Sequence, residues 1–217
     1  MPSSSETVSL LIFAFGLSVW TETAIRDWFT ALGDVTDGFE QKFLRQWKRK
    51  HPGHLSFTVL RHPLLRAHAA FRRKIVRGEA PDLRRILING FLAELQPPGE
   101  PFATVEAERA AFLIFLNYCR LATGGQTGAR VDPSLASQTA LVQGFAGFQP
   151  LDHLLREDRL AEGIAHLAAG AGVAAPVATP DPVEEALLSI WDESLESAAA
   201  EAYARDYMGF GFTRWRK

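Results

Sequence analysis

A chain of 217 residues that is 47% hydrophobic, 22% charged and 11% aromatic can bury a full core, and this composition excludes a disordered or fibrous protein. Its 23 Lys and Arg against 25 Asp and Glu leave a formal charge of −2, so no field of the whole protein marks a nucleic-acid coat. The single cysteine, Cys119, excludes an internal disulfide and any multi-cysteine metal site, and fits a reducing, cytoplasmic location.

Residues 1–8, with Glu6 as their only charge, are expected to be flexible. The apolar run 9–20 is shorter than the roughly 20 residues of a spanning helix. It also lacks the preceding basic residues of a signal peptide. Residues 10–15 read instead as a fully buried strand, because a continuous apolar run marks the centre of a parallel sheet. Gly16-Leu17-Ser18 then makes a turn. Helical spacing continues over 21–32, with Ala24, Ile25, Trp28, Phe29 and Leu32 apolar, and Gly33 stops it. A second, basic helix is predicted over 39–50, ended by His51-Pro52-Gly53, and LSFTVL at 55–60 is a compact strand.

Pro63 suits the first turn of a helix over 64–76. Further helices are predicted over 82–95 and 105–121, separated by the loop Pro97-Pro98-Gly99-Glu100-Pro101. In the second half, 123–128 is a Gly-rich loop, 129–131 and 150–156 are strand candidates, and 158–169 is a helix. An Ala/Pro/Gly linker at 170–181 leads to one long closing helix over 182–204. Strands alternating with helices predict a single helix-rich α/β domain over 1–217, with a short, mostly parallel sheet flanked by helices.

The near-neutral total conceals a segregation of charge. From 41 to 78 there is no Asp or Glu, whereas Lys42, Arg45, Lys48, Arg49, Lys50, Arg61, Arg66, Arg72, Arg73, Lys74 and Arg77 all fall there. Between 181 and 206 eight carboxylates face Arg205 alone. One region therefore suits anions, although Lys42 to Lys50 read equally well as a solvated helix face. Arg61 is the most informative of these cations. It comes directly after a strand and precedes a helix that opens with Pro63, so it sits where an open parallel sheet binds ligands and where helix N–H groups favour an anion.

The stretch Arg61, His62, Pro63, Arg66, Ala69 and Phe71 resembles the second donor motif of the carbohydrate-type sulfotransferases, including the bacterial nodulation type, which reads Arg-Asp-Pro-x-x-Arg-x-x-Ser-x-Tyr. Arg156-Glu157-Asp158-Arg159-Leu160 is similar to that family's strand-end Arg/Tyr-Glu-x-Leu. Tyr203-Ala204-Arg205-Asp206-Tyr207-Met208-Gly209-Phe210-Gly211-Phe212 is similar to its ending Tyr-x-x-Asp-Tyr-x-x-Phe-Gly-Tyr. The resemblance implies a P-loop-like sulfotransferase fold and a co-substrate, 3′-phosphoadenosine 5′-phosphosulfate (PAPS). Its sulfuryl group would pass to a hydroxyl or amine, as on a carbohydrate, with no metal. It further implies that Arg61 and Arg66 hold the donor nucleotide together with Gly16 and Ser18 of the loop after the first strand.

The sequence departs from that pattern where the chemistry would occur. The family's loop, typically Pro-Lys-x-Gly-x-Thr-Ser, stabilises the bridging oxygen with its lysine, but here the first lysine is Lys42, and Ala14 or Val19 stands in its place. Ala69 replaces the serine that helps hold the 3′-phosphate. Losing one preorganised donor commonly costs about 10²–10³ in rate. No general base stands out. The candidates are His62, also readable as a solvated strand-end residue, and Glu157, also readable as a carboxylate at a helix N-terminus.

Gly124-Gly125-Gln126-Thr127-Gly128 lacks the Gly-Lys-Ser/Thr of a nucleotide loop, and His153 and His166 are too isolated to argue for a metal. The residues support three functional readings. The first is a sulfotransferase-like enzyme using PAPS. The second is a degenerate, non-catalytic relative serving anion binding or protein assembly. The third, a basic nucleic-acid module over 42–77, ranks last because no nucleic-acid motif or stacking aromatic accompanies the charge.

Overall fold

In a computed structural model the described residues are 9–13, 30, 33–36, 41–128, 130–147, 150–171, 174 and 183–215. The turn with Gly16 and Ser18 lies outside them, as do segment 1–8, the predicted helix 21–32 apart from helical Thr30, and most of the linker 170–181. The chain groups into two compact units, each assembled from three segments: 1–15, 19–61 and 142–180 in the first, and 16–18, 62–141 and 181–217 in the second.

The first unit holds the sheet. Its strands are β1 (Ser9–Phe13), β2 (Asp34–Thr36), β3 (Leu55–Leu60) and β4 (His153–Arg156), in the order β2-β1-β3-β4. All three pairings are parallel, with Leu11 beside Thr36, Phe13 beside Thr58 and Leu60 beside Arg156. The α/β class with a parallel sheet is therefore as the alternation of elements predicts. Ser56 through Leu60 are all buried, as expected of a strand covered on both faces. Asp152 fastens β4 to β3: its carboxylate accepts from the Ser56 hydroxyl at 2.6 Å and the Ser56 amide at 2.8 Å.

Helix α1 (Gln41–Lys50) packs through Leu44 and Trp47 against Phe145 and Leu151, leaving Arg45, Arg49 and Lys50 exposed. Strand β2 has no counterpart among the predicted elements, because three residues reading Asp-Val-Thr carry no apolar run. They pair only because β1 offers an edge.

The second unit is helical. Helix α2 (Pro63–Phe71) is buried at every residue and passes into a π-helical turn, Arg72–Val76, rather than continuing as the single α-helix predicted over 64–76. The wider turn lets three consecutive cations reach three carboxylates. These are Arg72 to Glu108 at 2.6 Å, Arg73 to Glu79 at 3.3 Å and Lys74 to Asp132 at 2.7 Å, while Ile75 and Val76 stay buried. The buried Arg84 guanidinium donates to the carbonyls of Ile75 and Gln96, tying this turn to helix α3 (Pro81–Phe91) and the loop beyond it. Helix α4 (Val105–Thr123) contributes Phe112 and Phe115, whose rings pack on Phe71.

Helix α5 (Gln138–Ala146), for which the local sequence predicts no element, precedes β4, a 3₁₀ turn at Glu157–Arg159 and helix α6 (Leu160–Ala171). Arg130 and Val131 form no strand, contrary to the expectation for 129–131. The closing helix predicted over 182–204 is three helices: α7 (Val183–Ile190), α8 (Glu193–Ala202) and α9 (Ala204–Phe210). The first break is imposed by caps. Arg109 of α4 donates to the Ile190 carbonyl at 2.8 Å, and the Asp192 carboxylate accepts from the Leu195 amide at 3.0 Å. Helix α2 packs against α4, α7 and α8. Among the described residues no helix is long and apolar enough to cross a membrane.

Helix α3 stops at Phe91, short of the predicted Leu95, because Leu92 turns into the left-handed region with φ of 56°. The Ala93 amide then reaches the Leu87 carbonyl at 3.0 Å. Leu92 is 81% exposed, so its side chain gains little in return for the strained backbone. Leu92→Gly is expected to stabilise the protein by about 0.5–1 kcal/mol, read as a higher urea midpoint at unchanged slope.

Candidate functional site

The order β2-β1-β3-β4 reverses direction between β1 and β3, and the carboxyl ends of these parallel strands share one edge. Ligands of open α/β sheets bind outside that edge at such a reversal. Arg61 is the first residue after β3, and Glu157 the first after β4. The register Leu60 beside Arg156 brings them out next to each other, with Arg61 Nε 2.9 Å from Glu157 Oε2. Two candidates from separate motifs thus form one ion pair, in which the Arg61 side chain is wholly buried and that of Glu157 is 18% exposed. Glu157 also opens the 3₁₀ turn, so the helix-start reading of its carboxylate fits its position. As the counter-charge of a buried guanidinium it is placed to hold Arg61, not to shuttle a proton.

His62 is buried, and the solvated strand-end reading is corrected. Its Nδ1 accepts from the Leu64 amide at 3.3 Å, capping α2, and its Nε2 donates to the Thr213 carbonyl at 2.9 Å. Tyr207 and Phe212 stand edge-on to its ring. Both ring nitrogens are engaged in holding backbone, which removes His62 as a general base. Arg66 likewise serves structure. Its Nη1 donates to the Ala136 carbonyl at 2.6 Å and its Nη2 to the Pro133 carbonyl at 2.8 Å, and burial pushes its pKa down against the pull of Tyr203 and Asp206. The structure joins Arg61 to Glu157 but assigns Arg66 and His62 to packing within the helical unit.

Tyr203, Asp206, Tyr207 and Gly211 of the C-terminal motif serve structure. The Tyr203 hydroxyl donates to the Leu135 carbonyl at 3.2 Å. The buried Asp206 carboxylate accepts at 2.8 Å from the amides of Gln138 and Thr139 and from the Thr139 hydroxyl, capping α5 from far along the chain. Gly211, with φ of 66°, closes α9 where a side chain would be strained. The Tyr207 hydroxyl donates to Glu196 at 2.8 Å.

Cys119 is buried and its thiol is pushed up to about 12 by burial, which leaves no thiolate for nucleophilic chemistry. The rings of His153 and His166 touch edge-on. Among the described residues no group of three or more His, Cys, Asp or Glu is placed to hold a metal. On α1, Trp47 stacks on His51 and meets His54 edge-on, so its ring is engaged within the unit beside the exposed cations.

Glu157→Ala removes one carboxylate from the buried Arg61 and should destabilise the protein by about 3 kcal/mol in urea unfolding, whereas an exposed pair would lose less than about 1 kcal/mol. Glu196 has its pKa raised by burial, against the opposing hydrogen bonds from Tyr207 and the Trp215 amide. A carboxyl raised on folding contributes fully below its unfolded value, and that contribution is lost as pH rises through the folded value. Glu196→Gln retains an acceptor for Tyr207 and cannot ionise. Unfolding at two pH values should therefore show no difference near about pH 4 and a more stable variant at pH 7. Set against protein-family models, curated proteins and solved structures, the chain matches none of them, and the geometry of these residues carries the functional reading.

Proposed function

We propose that this chain is a sulfotransferase-like α/β protein that binds the phosphate end of PAPS, or of its product 3′-phosphoadenosine 5′-phosphate, at the carboxyl edge of its sheet, and that it does so without rapid sulfuryl transfer. One observation carries the reading. The arginine that opens the donor-like motif is also the residue that leaves β3 beside the reversal point of an all-parallel sheet. Sequence motif and ligand-binding position of the fold coincide at Arg61, a guanidinium that cannot lose its charge on burial.

The non-catalytic half of the reading rests on chemistry that is missing or diverted. No lysine precedes Lys42. Ala69, at the phosphate-binding serine position, is buried and has no hydroxyl. His62 caps a helix, and Arg66 holds two carbonyls. These four positions would otherwise stabilise the leaving oxygen, hold the 3′-phosphate and take the acceptor's proton. The active enzyme, moving sulfuryl to a carbohydrate hydroxyl or amine, is the second reading because three family-like motifs occur in the family's order.

Titration calorimetry with 3′-phosphoadenosine 5′-phosphate is expected to show saturable binding, weakened at least about tenfold in Arg61→Lys, which keeps the charge but loses the planar fork. Absence of heat with the wild type would end the nucleotide reading. Labelled PAPS offered with a panel of sugars is expected to give no transfer above the buffer rate. Turnover there would replace the non-catalytic reading with the active one.

A further inference from the structure

The helical unit contains a cleft of about 410 Å³ that none of the motif residues at the sheet edge enters. Its size lies in the range of small-molecule sites. Two arginines from different helices line it, Arg120 in the last turn of α4 and Arg205 in the first turn of α9, and both are exposed. Among the described residues neither has a carboxylate within ion-pair distance. The Arg120 guanidinium donates from Nη2 to Asn117 Oδ1 at 3.0 Å, which orients it without neutralising it.

Two like charges lining one concavity raise its potential, and a bound anion lowers it. Val131, Ala136 and Ala140 also line it, so the cleft offers charge and apolar surface together. Glu201 lines the same space. Its carboxylate leaves the three side chains a net charge of about +1, which disfavours a multiply charged phosphate, and it supplies an acceptor for a hydroxyl or amine.

We propose that this cleft binds a small monocarboxylate that carries an apolar body and a hydroxyl or amine, the carboxylate held by Arg120 and Arg205 and the donor by Glu201. The site is separate from the nucleotide site at the sheet edge and does not depend on it. Both arginines are exposed, so neutralising them leaves the core intact.

The probe is 4-hydroxybenzoate, tracked by amide chemical shifts in the full-length protein, with phenol, benzoate and inorganic phosphate as comparison arms. Saturable shifts confined to residues around Ala136, Thr123 and Ala202 are expected. Affinity should fall at least about tenfold in each of Arg120→Gln and Arg205→Gln, the effect of losing a charge-assisted bond. Benzoate should bind more weakly than the probe, with that difference abolished in Glu201→Ala, which removes the acceptor. Ala140→Trp, which fills the cleft from an exposed helical position, should abolish binding while leaving the unfolding midpoint close to that of wild type. Absence of saturable shifts, affinity unchanged in both arginine variants, phenol binding as tightly as the acids, or phosphate binding more tightly than the probe would each overturn the proposal.

Discussion

A guanidinium carries its charge wherever the chain buries it, so the chain must bring acceptors to it. Arg61, Arg66 and Arg84 are all buried, and each gathers a different part of the molecule. Arg61 draws Glu157 and so fixes the turn after β4 relative to the end of β3. Arg66 draws the carbonyls at 133 and 136, which positions the segment that leads into α5. Arg84 closes the π-helical turn against the loop after α3. Apolar burial supplies the larger share of stability, but it is nondirectional. These three cations supply the direction, because a misplaced acceptor leaves a buried charge unpaired.

The same requirement explains why a family-like motif can survive in sequence while its chemistry is redirected. Arg66 keeps its residue type and its spacing from Arg61, yet its fork is matched to two backbone carbonyls. His62 keeps a position at the strand end, yet its two nitrogens are consumed by an amide and a carbonyl. A guanidinium and an imidazole serve equally well as anchors for backbone and as handles for a ligand. Identity and spacing alone do not separate the two uses. Partners do.

Local signals make much of the fold legible. A continuous apolar run at 10–15 and a compact run of β-formers at 55–60 mark strands of the parallel sheet, Pro63 marks the start of α2, and the 3.6-residue pattern of α4 is read almost to its ends. The hidden features depend on distant groups. The cap of α5 is shared: the Ser137 hydroxyl accepts from the Ala140 amide at 3.2 Å, a short local signal, while the stronger acceptor, Asp206, is remote in sequence. The break at Trp191 and Asp192 needs Arg109 from another helix. At the candidate site Arg61 and Glu157 each stand out from the residues, but their pairing does not, because it comes from the β3–β4 register. The two arginines of the cleft lie 85 positions apart in sequence, so no local pattern announces that they line one concavity.

Each compact unit borrows chain from both sides of the other: β4 and α6 belong with strands that precede the whole of α2 to α4. During synthesis, β3 leaves the ribosome long before the segment that supplies its neighbour, and the loop to be closed contains α2 to α4, the larger part of the helical unit. No single scission yields either unit intact. A nascent chain released before 142–180 would lack Glu157 beside Arg61 and leave β3 as the border of the sheet, a species disposed to self-association until the missing strand arrives.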